Sequence, residues 1–290
     1  MTHATHPARA SNRVPQSLAA LLALSALPTL AQGVPEAPPS SGKPLWELGV
    51  VGFGTSQQAY PGSAERTNRG LVVPYAVYRG QFWRVDRDTV GLRAVKTPSF
   101  ELDIGFAGSF GARSKDLPAR SGMPDLGTLV EFGPRVKWHL GAGPAGSRLR
   151  ADAALRGVYD LSDGLAYRGV TFEPRLVLEN RSRSGWNHSA SVSLVAGNRR
   201  LGDTLYGVAP AFATGSRPAY AADSGLVAWR LGVSASKSLN PDWLLFGFAR
   251  LESLAGAANR ASPLVERRTG ATVGMGLSYT WARSSTRVPD

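Results

Sequence analysis

The sequence predicts an all-β fold: an antiparallel transmembrane β-barrel of about 12 strands, of the outer-membrane type. Three observations carry that expectation. From residue 46 onward, apolar and polar residues alternate with a period of two. Mostly long connections alternate with short ones. Aromatic residues gather near segment ends on the apolar faces, while charges fill the opposite faces. Alternation alone also fits a soluble sheet with one wet face. A soluble barrel, however, would turn its apolar side chains inward. Here the ionic faces suit a polar lumen and the aromatic ends suit membrane–water interfaces.

Taken in order, the chain begins with Arg9 and Arg13 ahead of SLAALLALSALPTLAQG (17–33). A basic start, an apolar run and small residues read as a secretory signal peptide over 1–31, cleaved after Ala31. The run is shorter than the roughly 20 residues that cross a bilayer as a helix. Residues 32–45 include VPEAPPSSGKP, a flexible Pro/Ser-rich periplasmic tail. The barrel is expected over 46–282 and a short C-terminal tail over 283–290.

Candidate strands fall at about 46–55, 70–78, 81–86, 89–95, 99–110, 128–140, 147–159, 168–179, 187–198, 226–237, 243–253 and 270–282. The segments 81–86 and 89–95 are short, and their register is the least defined. An even count returns both termini to one side, as bacterial barrels require.

Face assignments follow from the alternation. In 128–140, Val130, Phe132, Val136, Trp138 and Leu140 oppose Glu131, Arg135, Lys137 and His139. In 147–159, Leu149, Ala151, Ala153, Leu155 and Tyr159 oppose Arg148, Arg150, Asp152 and Arg156. In 99–110, Leu102, Ile104, Phe106 and Phe110 oppose Glu101, Asp103 and Ser109. In 229–237, Trp229, Leu231, Val233 and Ala235 oppose Arg230, Ser234, Ser236 and Lys237. In 270–282, Val273, Met275, Leu277, Tyr279 and Trp281 oppose Thr272, Gly274, Gly276, Ser278 and Thr280. The interfacial aromatics are Trp138, Tyr159, Trp229, Trp243, Tyr279 and Trp281. The glycines of the last strand let a curved wall twist.

Long connections such as TSQQAYPGSAERTNRG, ARSKDLPARSGMPDLG, the stretch 199–225 and AGAANRASPLVERR alternate with short ones such as KTP, GAGPAG and SLNPD. Long loops outside and short turns in the periplasm are the barrel pattern. The loop 112–127 is therefore expected outside, and it is too polar to be core. Its candidate surface residues are Arg113, Lys115, Asp116, Pro118, Arg120, Pro124 and Asp125.

Composition narrows function. The 290 residues carry a formal charge of +12 and no cysteine, which removes disulfides and thiolate metal sites. The charges are scattered singly and no nucleic-acid motif is present, so no nucleic-acid partner is expected. Of four histidines, His3 and His6 lie in the signal segment. His139 and His188 sit toward the turn end, the wrong rim for chemistry on outer-leaflet lipid, and no GxSxG elbow is present. No catalytic, metal or cofactor residue is assigned. Arg135, Lys137, Arg148, Arg150 and Arg156 form a candidate basic patch in the lumen. It either biases a pore toward anions or pairs with Glu131, Asp152, Glu173 and Glu179.

The segments AYPGS (59–63), PYAVYRG (74–80), GARSKDLPARSGMPDLG (111–127), YGVAP (206–210), RPAY (217–220) and SPLVERR with GLSYTW resemble the MipA/OmpV family of outer-membrane proteins. The resemblance implies a cell outer-membrane barrel in contact with lipid and lipopolysaccharide. It implies a scaffold for a murein transglycosylase and a murein synthase, without catalysis. A porin-like channel for small solutes, anionic ones included, is the alternative, and a lipid-modifying enzyme the third. One departure stands out. Barrels of this kind commonly end on a terminal aromatic, yet ARSSTRVPD follows Trp281. Either the assembly signal is internal or this tail frays.

Overall fold

The computed structural model describes residues 42–79, 84–86, 89–91, 95–97, 99–182 and 184–288. The expected signal peptide and most of the Pro/Ser-rich tail lie outside them.

Ten long strands build the wall. They are β2 (Trp46–Gln58), β3 (Arg66–Arg79), β7 (Phe100–Ser109), β8 (Leu129–Ala142), β9 (Arg148–Asp160), β10 (Ala166–Arg181), β11 (Trp186–Gly197), β12 (Gly225–Ser238), β13 (Trp243–Ser253) and β14 (Thr269–Arg283). Within the region expected to hold strands at 81–86 and 89–95 lie three short pieces: β4 (Arg84–Asp86), β5 (Thr89–Gly91) and β6 (Val95–Lys96). The spatial order is β5-β4-β3-β2-β14-β13-β12-β11-β10-β9-β8-β7-β6, and every pair is antiparallel. The sheet curls until its ends approach. Cα atoms of β5 lie within 8 Å of β7, and Arg69 on β3 donates to the Gly111 carbonyl beyond β7 at 3.4 Å.

The physics of the wall is inverted relative to a soluble protein. Large apolar side chains point outward and stay exposed, including Val72, Phe132, Leu155, Leu231, Leu251 and Met275. Charged side chains point inward and are buried, including Glu101, Asp103, Arg135, Lys137, Arg150, Asp152, Arg156, Glu173 and Glu252. In water such a molecule would leave its greasiest surface wet. In a bilayer the same surface is satisfied, and the antiparallel ladders along the curled sheet pair the backbone groups that lipid cannot.

The first and last described residues lie at the end carrying the short turns. There Lys43–Pro44 (β1) pairs with Arg287–Val288 (β15). Leu45 donates to Thr286, Ser284 donates to Trp46, and Arg79 clamps the ribbon through the Pro44 carbonyl at 2.7 Å. The residues after Trp281 therefore do not fray; through Val288 they are tied to the start of the barrel. Within the tail expected over 32–45, Lys43–Pro44 belong to this ribbon.

Candidate functional site

Two regions stand out: the long-loop end and the lumen beneath it. The loops do not stand free. Ala59 and Tyr60 after β2, Ala112, Leu117, Met123 and Leu126 after β7, Leu201, Leu205, Tyr206, Val208 and Ala222 after β11, and Leu264 after β13 share one buried cluster. The inward-facing Val158 and Val195 and the upper ends of β8 and β12 join it from below. Because these connections arise around the circumference, their common core lies across the mouth. It caps the barrel.

Side chains lock the cap to backbone groups that no sheet ladder reaches, as any buried polar backbone requires. The Tyr60 hydroxyl donates to the Leu264 carbonyl at 2.7 Å, and Ser262 Oγ donates to Tyr206 O at 2.7 Å. Arg217 bridges loops by donating to Ala119 O at 3.0 Å, Ser121 O at 2.9 Å and Phe212 O at 2.7 Å. Asn259 holds Asp223 through N–H and carbonyl at 2.8 and 2.9 Å. The helix α1 (Arg199–Tyr206) starts where the Asn198 side chain accepts from Leu201 N at 3.2 Å, a standard N-cap. Gly169, at φ +136°, lets β10 pass so close that a Cβ there would lie 2.4 Å from Asn198 Oδ1. Burial pushes the Tyr60 phenol up to about 12, with Glu266 adding to the effect. Burial also holds Arg120 below its ordinary value, against the favourable field of Tyr60.

The loop 112–127 is thus half core, correcting the expectation that it is too polar. Ala112, Ser114, Leu117, Arg120, Met123 and Leu126 are buried. Arg120 reaches the Leu205 carbonyl at 3.2 Å and lies 5.8 Å over the Tyr60 ring. Arg113, Lys115, Asp116, Pro118, Pro124 and Asp125 are exposed. Of these, Arg113 and Asp116 pair at 2.8 Å, and Asp125 accepts from Ser114 N at 2.6 Å.

Below the cap the lumen has two unlike sectors. Along β7 to β10 and β12 it is ionic. Asp103 takes Arg135 at 2.6 Å and Lys137 at 2.7 Å. Arg150 meets Asp152 and Glu179, each at 2.8 Å. Arg156 bridges Glu131 at 3.1 Å and Glu173 at 2.6 Å. Arg175 takes Glu173 at 2.6 Å, and Arg230 takes Glu252 at 2.6 Å. Arg148, the remaining member of the candidate basic patch, is exposed at the turn end of β9. The patch residues inside the barrel are therefore cross-linked to acids, and the wall there is nearly neutral.

The second sector, on β13, β14, β2 and β3, was not read from the sequence. Register places Leu244, Phe246 and Phe248 inward on β13, across from Ser278, Gly276 and Gly274. Val51, Phe53, Val73 and Val77 also face in and are buried. The glycines are spaces as much as twist points: a Cβ on Gly274 would lie 2.3 Å from Phe248, and one on Gly276 would lie 2.4 Å from Phe246. WLLFGFARLES was opaque because it is apolar on both faces.

The expected interfacial aromatics divide between the two rims. Toward the turns, Trp138 contacts Phe100 edge-on, Trp243 stacks on Tyr279 at 4.6 Å, and Trp281 is exposed. Toward the loops, Tyr159 stacks on Phe132 at 4.9 Å, and Trp229 is exposed. His139 is exposed at the turn end of β8, while His188 stacks on Trp186 on β11. Neither meets a serine–carboxylate arrangement among the described residues.

A curled antiparallel sheet with an apolar exterior, an ionic interior and aromatic rims defines a β-barrel of the outer-membrane type. Solved structures of outer-membrane proteins align with the chain at low similarity. The NanC porin aligns at 10% identity and TM-score 0.36, over 79% of this chain and 98% of its own. OprB of Pseudomonas putida aligns at 7% and 0.41, over 81% and 94%. An outer membrane channel of Pseudomonas putida F1 aligns at 11% and 0.36, over 86% and 100%. A search of curated proteins finds no match. The family model described as MltA-interacting protein MipA matches residues 49–281, and the chain belongs to that family.

Proposed function

We propose that this chain is a non-catalytic docking barrel of the outer membrane, seated in lipid and lipopolysaccharide, that holds a murein transglycosylase of the MltA type and links it to a murein synthase. One observation carries the reading beyond the family's description: the mouth is closed by a packed core, so the long loops serve the barrel's own closure. The ion-paired wall beneath supports the same view, because little uncompensated charge remains to drive conduction. With long loops outside and turns in the periplasm, both termini and the β1–β15 ribbon face the periplasm, where murein enzymes work. The docking surface is then the turn end, with the segment preceding Gly42.

Two measurements test this together. The full-length barrel, immobilised in detergent, retains a purified MltA-type transglycosylase, and deletion of residues 32–45 weakens retention. In planar bilayers the same preparation is silent. A steady anion-selective current with no retention would replace the docking role with that of a channel.

A further inference from the structure

The mid-height lumen contains a hollow with a deficit of acceptors. Its floor is Gly232 on β12. Register sets Ser191 on one side, paired to Gly232 across β11, and Arg250 on the other, paired across β13. A Cβ on Gly232 would meet only Ser191 Oγ at 3.0 Å and the Ala249 carbonyl at 3.9 Å. The inner wall is therefore open at this point, and Ser191, Gly232, Ser234, Phe248 and Arg250 all keep partial exposure although they face inward.

Charge sharpens the picture. Arg250 has one ion contact among the described residues, Glu252 at 3.5 Å, and Arg230 already engages that same oxygen at 2.6 Å. The next acid, Glu173, is claimed by Arg156 and Arg175 at 2.6 Å each and by Ser193 Oγ at 3.0 Å. The connected group holds four arginines (156, 175, 230, 250) against three glutamates (131, 173, 252), with one positive charge in excess. The Ser191 hydroxyl has no hydrogen-bond partner among the described residues, while Ser189 and Ser234, one step toward the turns, bond each other at 2.7 Å. Phe248 adds an aromatic face beside them.

We propose that this hollow binds a small carboxylate that also carries hydroxyl groups, of the sugar-acid class. One carboxylate matches the single excess charge and supplies the planar acceptor pair that a guanidinium fork engages. The Arg250 guanidinium holds the carboxylate, with Arg230 beside it. Ser191 meets a hydroxyl of the ligand, and Phe248 covers its carbon face. A neutral sugar leaves the excess charge unanswered, and a dianion exceeds it. The inference is independent of any protein partner at the turn end.

The test uses the full chain folded in detergent, with heat-modifiable migration confirming the barrel and calorimetry measuring binding of glucuronate, glucose and inorganic phosphate. Glucuronate is expected to bind at least about tenfold tighter than glucose or phosphate, consistent with one charge-assisted hydrogen bond. Arg250→Gln removes the under-paired charge, and Gly232→Leu fills the hollow while keeping every charge; each is expected to weaken glucuronate about tenfold or more. Should either variant fail to fold, Ser191→Ala, which removes one hydroxyl, is expected to weaken it about threefold to tenfold. No glucuronate binding, binding unchanged in the folded variants, or equal binding of glucose or phosphate would overturn the proposal.

Discussion

Leu264→Ala isolates the cap from the wall. Leu264 is 0% exposed at the centre of the loop cluster. Its backbone roles survive the substitution, because Leu264 N–H still donates to Ser262 Oγ at 3.2 Å and its carbonyl still accepts from the Tyr60 hydroxyl at 2.7 Å. What is lost is three buried carbons and the packing around them. Leu→Ala at such positions costs 2–5 kcal/mol, so about 3 kcal/mol is a reasonable figure. Most members of the cluster are loop residues, so the loss falls mainly on opening of the cap rather than on the barrel. At about 1.4 kcal/mol per tenfold, the open cap becomes about 150 times more populated. Trypsin reads this directly: Arg120, buried in the closed cap, becomes a cleavage site on opening, and cleavage follows the open population when reclosing is fast. Cleavage after Arg120 should accelerate about a hundredfold while heat-modifiable migration stays intact. Unchanged cleavage, or loss of the whole barrel with the cap, would refute the argument that the cap is a separate packed unit.

Glu173→Gln removes the shared anchor of Arg156 and Arg175; stranded buried charge should cost about 3–5 kcal/mol in urea unfolding from lipid vesicles, and retention of wild-type stability would contradict the lattice. Met275→Arg places a charge on the lipid face and should cost about 2–4 kcal/mol near mid-membrane in the same assay. Gly276→Leu drives a side chain into Phe246, Phe53 and the Gly52 carbonyl, so folded barrel yield should collapse, whereas Gly276→Leu with Phe246→Ala should recover part of it. The raised Tyr60 phenol gives a pH test with a definite sign. Its neutral form is favoured by folding, so its contribution is whole below pH 10, the ordinary value, and fades as pH climbs through about 12; at about 1.4 kcal/mol per unit this amounts to about 3 kcal/mol. Tyrosinate absorbance should show one late-ionising group lost in Tyr60→Phe.

Strands were legible wherever lipid and lumen demand opposite chemistry. In 147–159, Arg150, Asp152 and Arg156 against Leu149, Ala151 and Leu155 leave one possible orientation, and the wall adopts it. The same logic failed on 243–253, where Phe246 and Phe248 face an apolar lumen sector and both faces read as greasy. It failed again in the loops. Leu117 and Met123, Leu201 and Leu205, and Leu264 come from three loops far apart in sequence, and none of these loops carries the alternation of a strand. Only the curl of the sheet brings them together. Helix α1 carried a readable signal in Asn198, Leu201 and Leu205, with a capping residue and then apolar residues four apart, inside a stretch read as loop. The ion pairs of the lumen were partly foreseeable, since Arg156 and Glu173 lie on inward positions of neighbouring strands. Which acid each arginine chooses depends on register and rotamer, and periodicity carries neither.

The chain contains no cysteine, so single introduced thiols report without background. Nitroxide labels on Leu231→Cys and Met275→Cys, compared with Ser234→Cys and Thr272→Cys on the same strands, measure the orientation of the wall in reconstituted vesicles. Outward positions should relax strongly with oxygen dissolved in lipid and weakly with a water-soluble nickel chelate, while inward positions lack that lipid signature. Equal oxygen accessibility on both faces, or a lipid signature at Ser234 and Thr272 alone, would contradict an exterior built for lipid and an interior built for charge.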